Sequence, residues 1–184
     1  MKRIIPILIA ILICFSVGCT ASYFQSESIL NWYPALEKPS CTPPDIAFPI
    51  AWSFIYLCMG ISIGLIWHIW TIRRQMIIRL FGFQLLFNFT WSIFFFYFRS
   101  PLLGFANILV LDVLVIYYMI ESYPVRKSSA YLFVPYLLWL LLATYLNGYI
   151  IMYNKKTGIG RLNGNYGYKR KYLFKVIDNP GDFP

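Results

Sequence analysis

Long apolar stretches alternate with short polar breaks from Ile4 to Met152, and that pattern predicts membrane-spanning helices. The expected spans cover residues 4–24, 46–70, 77–97, 102–120 and 129–152. Each is close to the roughly 20 residues needed to cross a hydrocarbon core. Arg73, Arg74 and Arg79 mark the second break, Arg99-Ser100-Pro101 the third, and Glu121 with Tyr123-Pro124 the fourth. Pro135 falls early inside the fifth span. The first break is different: it is a lid loop over residues 25–45, and it opens the stretch Trp32–Trp52 that carries Pro34, Pro39, Pro43, Pro44 and Pro49. Proline fixes φ and restricts the residue before it, so this is a stiff, non-helical crossing. The fold class expected is therefore an all-α integral membrane protein, a five-transmembrane-helix bundle formed by residues 1–153. Residues 154–184, rich in Gly, Asn, Tyr and Lys, are expected to form a basic, mobile tail.

Composition agrees. Hydrophobic residues make up 59% of the 184 and charged residues 12%, which excludes an ordinary soluble domain. The net charge is +9, but seven of the sixteen basic residues follow Asn154. A basic tail on an apolar body points to anionic lipid or topology, and without a basic-aromatic groove no nucleic acid is expected. The start of the chain has two readings. Lys2-Arg3 before an apolar run resembles a signal peptide, with Ser16-Val17-Gly18-Cys19 as a faint lipoprotein cleavage site; the favoured reading is an uncleaved first span. Lys2, Arg3 and the basic second and fourth breaks place the N-terminus on the cytoplasmic side and the lid on the opposite face. Five spans then put the basic tail on the lid's face, against that bias, though long tails cross regardless of charge. With no Arg/Ser-rich amphipathic leader, a bacterial envelope membrane is expected rather than a mitochondrial one. Cys14, Cys19, Cys41 and Cys58 form no CxxC pair, and with His68 alone beside them no metal site is expected. Cys41, in the loop, is the thiol expected to react.

Polar side chains inside spans should face the bundle interior. Gln84, Asn88, Trp91 and Ser92 share one face of the third span, and Tyr136, Trp139, Ala143 and Asn147 form a stripe on the fifth. Trp52 and Tyr56 lie one turn apart at the start of the second. Asn107 and Asp112 sit about 140° apart around the fourth. Helix-to-helix hydrogen bonding by the amides, and an interfacial belt of Tyr23, Tyr97 and Tyr153, are the plainer readings. Trp52 and Trp139, near the lid ends of their spans, could instead wall a cavity. Asp112 is the acid deepest in a span, and a proton-relay role for it is the minor reading. His68 reads as interfacial, and Gly60 and Gly64 as a close helix contact.

Together these pieces resemble the TspO/MBR family, the tryptophan-rich sensory or translocator proteins of the peripheral benzodiazepine receptor type. The resemblance rests on Trp32-Tyr33, Leu36, Lys38-Pro39, Pro43-Pro44 and Trp52 around the lid. It continues through Gln84-Leu85, Asn88, Trp91-Ser92 and Phe94-Phe95-Phe96, then Asp112, Pro135-Tyr136-Leu137, Trp139, Ala143-Thr144 and Leu146-Asn147. It implies a five-helix bundle, commonly a homodimer, whose cavity beneath the lid takes tetrapyrroles such as protoporphyrin IX or haem, benzodiazepine-type ligands and, in animals, cholesterol. By position, Trp52, Asn88, Trp139 and Ala143 correspond to cavity residues, and Trp32, Pro43 and Pro44 shape the lid. Two departures stand out. Cys41 replaces a frequent tryptophan, and Ile151-Met152 replaces the Trp-Arg ending of the animal sterol motif, leaving the looser Leu146, Tyr149, Lys155 pattern.

The expected function is therefore a tetrapyrrole-binding membrane sensor or carrier with no obligatory cofactor. Its ligand-binding residues would be Trp32, Pro43, Pro44, Trp52, Tyr56, Gln84, Asn88, Trp91, Trp139, Ala143 and Asn147. No nucleophile-base pair or phosphate loop is readable, so a conventional enzyme is not expected. The alternatives are light-dependent porphyrin breakdown through Trp52 and Trp139, and transport of a sterol or other lipid.

Overall fold

Pro6 sits in the first turn of the first helix, where a missing N–H costs nothing, and no other proline interrupts the chain before Pro34. The helix accordingly runs on past residue 24, the end expected from hydropathy. Its polar continuation is held by the far end of the third span. Gln25 Nε2 donates to Ser92 Oγ at 2.7 Å, Ser28 Oγ to the Phe96 carbonyl at 2.7 Å, and Arg99 Nη2 to Glu27 Oε1 at 2.9 Å. Residues 25–31 are thus a polar helix face with partners, not the start of the loop.

The computed structural model describes residues 4–154, and Lys2, Arg3 and the basic tail lie outside them. Among the described residues the elements are helices and turns: α1 Ile5–Asn31, α2 Ala47–Ile66, α3 Arg73–Ser92, α4 Pro101–Ser122, α5 Lys127–Tyr131 and α6 Val134–Tyr153. A π-helical turn over Ile93–Tyr97 extends α3, and α5 with α6 makes one interrupted span. Five helical segments are long and apolar enough to cross a membrane, as the hydropathy pattern requires.

The boundaries moved in three further places. α2 stops at Ile66 rather than 70, α3 takes Arg73, Arg74 and Arg79 into its first turns rather than starting at 77, and the fifth span breaks at Leu132-Phe133. That break puts Pro135 in the first turn of α6, where proline is tolerated.

Glycines set the closest helix contact. A Cβ on Gly60 would lie 2.7 Å from the Ile11 backbone, and one on Gly64 would lie 2.7 Å from that of Ile7, so α1 and α2 meet almost backbone to backbone. α4 packs on α3 and α6, and α5 on α2 and α4. The core between them includes Met59, Ile77, Leu111, Val115, Tyr118, Phe133, Tyr136 and Leu140. Tyr118 stacks on Phe133 at 4.0 Å, and its hydroxyl is hydrogen-bonded to Ser62 (2.8 Å) and Ser129 (3.2 Å), tying α2, α4 and α5 together.

The lid proper runs from Trp32 to Ile46. Trp32, Leu36 and Pro39 are buried, while Cys41 and Pro44 are exposed. Trp32 and Leu36 join Phe95, Phe96 and Ile150 in a second apolar cluster. Lys38 Nζ lies 4.4 Å above the Tyr33 ring, whose hydroxyl pKa is pushed up by burial and by the nearby Asp45 carboxylate. Glu37 and Asn154 pair reciprocally: the Glu37 N–H donates to Asn154 Oδ1 and Asn154 Nδ2 donates to the Glu37 carbonyl, both at 3.1 Å.

Candidate functional site

Three helices converge on Asn88. Tyr56 of α2 donates its hydroxyl to Asn88 Oδ1 at 3.3 Å, and Asn88 Nδ2 donates to the Tyr136 hydroxyl of α6 at 3.0 Å. All three side chains are buried, so one amide satisfies two hydroxyls where water has no access. Helical spacing brings the aromatic wall to the same place. Trp52, one turn before Tyr56, stacks on it at 5.4 Å and 29°, and meets the edge of Tyr136 at 6.1 Å. Such ring pairs contribute about 0.5–1.5 kcal/mol each beyond their burial.

Beside this cluster lies an open groove of about 370 Å³ between α2 and α6, lined by Ala51, Phe54, Ile55, Pro135, Leu138, Trp139 and Leu142. It is almost wholly apolar, with the half-buried Trp139 in its wall. Phe48, from the first turn of α2, meets Trp139 edge-on at 5.5 Å. Glu37 is bonded to Asn154 at the end of α6 while Phe48 reaches Trp139 well before it, so the lid descends alongside α6 by about 20 Å. The groove continues that seam past the lid's end. It opens sideways between the helices rather than directly beneath the loop.

The other expected residues divide. Ala143 packs against the same core as Trp52 and Trp139. Pro43 is half-buried in the lid, and the Pro44 carbonyl accepts the Ala47 N–H at 2.8 Å, which starts α2. Trp32 belongs elsewhere and Trp91 spans both places: Trp91 packs against the core of Trp52 and Trp139 and also stacks on Phe95 at 5.2 Å, while Trp32 meets Phe95 at 5.6 Å in the cluster under the first half of the lid. Asn147 bridges to the first turns of α4: with its amide oriented to satisfy both neighbours, it donates to the Pro101 carbonyl at 2.9 Å and accepts from the Phe105 N–H at 3.1 Å. Gln84 is wholly buried one turn from Asn88, and neither of its amide atoms has a partner among the described residues.

Asn107 and Asp112, on different sides of α4, serve different neighbours. Asn107 Nδ2 donates to the Phe87 carbonyl of α3 at 2.8 Å, and Asp112 Oδ2 accepts from Thr144 of α6 at 2.8 Å, leaving Oδ1 without a partner among the described residues. Tyr136 was visible in the α6 stripe, yet its pairing with Asn88 was not. The Ser62–Tyr118–Ser129 bonds had no local signal, since the partners are far apart in sequence.

Chemically the site offers aromatic faces, an apolar slot and a few neutral hydrogen-bonding groups. Among the described residues no group of three or more His, Cys, Asp or Glu side chains could hold a metal ion. At about 370 Å³ the slot is near the low end of the usual 300–1,000 Å³ range for small-molecule sites.

Residues 10–153 match the model of the TspO/MBR family. A "Tryptophan-rich protein TspO" of Archaeoglobus fulgidus is 36% identical over 152 residues, covering 83% of this chain and 99% of its own length. A protein of the same name from Chlorobaculum tepidum is 33% identical over 155 residues, covering 83% and 98%. The human "Translocator protein" is 31% identical over 136 residues, covering 72% and 80%.

Proposed function

Because the chain belongs to the TspO/MBR family of integral membrane proteins with sensing or transport roles, we propose that it binds a flat tetrapyrrole, protoporphyrin IX or haem, along the seam between α2 and α6. One observation carries this reading. Trp139 lines an apolar groove with Phe54 and Pro135, and on the adjoining, inward face of α2 Trp52 stacks on Tyr56, which is tied through Asn88 to Tyr136. Stacked rings supply dispersion and quadrupole attraction to a macrocycle, and neutral hydroxyls and amides can orient its polar edge. The protein acts as a sensor or carrier in a bacterial envelope membrane, with the lid on the non-cytoplasmic face. It works as a homodimer whose interface lies away from Gly60 and Gly64, since these are occupied by α1. Sterol or other lipid is a further candidate ligand, because the groove opens sideways.

Titration of the purified protein with protoporphyrin IX tests this. Tryptophan fluorescence should be quenched saturably, and the Trp52→Phe, Trp139→Phe double variant should lose most of that quenching. Undiminished quenching in the double variant would overturn the site. Crosslinking in detergent decides the oligomeric state.

A further inference from the structure

The end of the bundle opposite the lid carries an aromatic and cationic surface that the ligand site does not use. Between α2 and α3, Trp67 is 43% exposed, Trp70 91% and Ile72 99%. The described chain leaves Trp70 and Ile72 almost wholly uncovered and Trp67 partly so. The Arg74 guanidinium lies over both indoles, 5.5 Å from the Trp67 ring and 5.6 Å from that of Trp70, and its Nε is buried without a hydrogen-bond partner among the described residues. Arg73 is engaged instead, donating to Glu121 at 2.8 Å. Glu121 is the acid of this end among the described residues, against Arg73, Arg74, Arg79, Arg126 and Lys127. Lys127 repeats the pairing of cation and ring, with Nζ 5.5 Å above Tyr123. The first turn of α3 has no side-chain cap, and although the Arg74 N–H donates to the Thr71 carbonyl at 3.1 Å, the positive end of the helix dipole adds further positive potential.

We propose that this surface, centred on Arg74 between Trp67 and Trp70, binds the phosphate of anionic phospholipid headgroups. A soluble anion would account for the cations and leave Trp70 and Ile72 without a reason to face outwards. A headgroup accounts for both. Tryptophans favour the level of the lipid carbonyls, while a guanidinium fixed on two indole faces presents its remaining N–H groups to a phosphate at low conformational cost. Arg73 is less available, because Glu121 neutralises it. The contrast between neighbouring arginines is therefore the proposal's sharpest consequence.

The test uses the full chain reconstituted in mixed phosphatidylcholine and phosphatidylglycerol nanodiscs, with the lipids retained through purification counted by mass spectrometry. The wild type should enrich phosphatidylglycerol over the bulk ratio by roughly fivefold, the effect of one well-placed cation at a membrane surface. Arg74→Gln should return close to the bulk ratio with its helical circular dichroism unchanged, and Arg73→Gln should keep most of the enrichment. A bulk ratio in the wild type, or equal losses at both arginines, overturns the assignment. Displacement of the retained lipid by millimolar inorganic phosphate or by an oligonucleotide would overturn it in favour of a soluble anion or a nucleic acid. Should Arg74→Gln fail to fold, the wild type still decides: headgroup-brominated phosphatidylglycerol should quench tryptophan emission more than its phosphatidylcholine counterpart, and equal quenching would reject the site.

Discussion

Asn88 shows how much a single polar side chain can do inside a membrane bundle. Its amide holds hydroxyls from α2 and α6, so Asn88→Leu breaks two interhelical bonds and strands two buried tyrosine hydroxyls. The variant should lose about 1–2 kcal/mol of stability against unfolding in detergent, with weaker protoporphyrin quenching. Unchanged stability and quenching would mean that the tyrosines find other partners. Asp112 makes the opposite point. It is buried, with Thr144 on one oxygen and no partner among the described residues on the other. Deleting one partner of a buried polar pair costs more than replacing both partners by apolar groups. Thr144→Val should therefore cost about 1–3 kcal/mol of stability, while the double variant Thr144→Val, Asp112→Leu, which strands neither partner, should be closer to neutral. A Thr144→Val protein as stable as the wild type would refute that account, and a double variant less stable than Thr144→Val alone would give the carboxylate a role beyond this bond.

At the scale of elements, glycines separate close contact from mere tolerance. Gly60 and Gly64 leave no room for a Cβ against the α1 backbone, whereas a Cβ on Gly82 of α3 would meet nothing within 4 Å. Gly60→Leu should force α1 from α2 and cost about 1–3 kcal/mol or more, while Gly82→Ala should gain up to about 1 kcal/mol by removing backbone entropy. Thermal unfolding of the two variants should shift in opposite directions. The spans themselves were legible because each is a long apolar run, and Trp52, Tyr56 and Asn88 because helical spacing assigns faces without any tertiary knowledge. Gln25 to Asn31 was misread as loop, since sequence cannot distinguish a solvated polar stretch from one bonded to Ser92 and Phe96 across the bundle. The start of α3 was missed because it carries no side-chain cap to mark it, and the end of α2 because the largely apolar run continues past Ile66 to Trp70. The groove's position depends on where α2 begins relative to α6, a difference in height that no local pattern encodes.

The whole molecule has two unlike ends, and the lid closes one of them. Cys41 is exposed on that lid, Cys14 and Cys58 are buried, and Cys19 faces outwards within α1. In oriented vesicles of a Cys19→Ser background, an impermeant maleimide should label Cys41 from the non-cytoplasmic side; labelling only from the other side would invert the topology. The clasp between Glu37 and Asn154 then bears on function, because it is a reciprocal pair of bonds between the lid and the end of the fifth span. Trp32 and Leu36 hold the lid's first half in the cluster with Phe95, Phe96 and Ile150, so losing the clasp should free chiefly the segment from Glu37 to Ile46. Bonds of this exposed kind contribute about 0.5–1.5 kcal/mol each. Asn154→Ala should thus cost no more than about 1–3 kcal/mol of stability while raising the dissociation rate of bound protoporphyrin by roughly two- to tenfold. A ligand that enters under the lid must leave the same way and will register that change. One that slips sideways through the groove between α2 and α6 will not, so an unaltered dissociation rate would assign the groove, not the lid, as the way in.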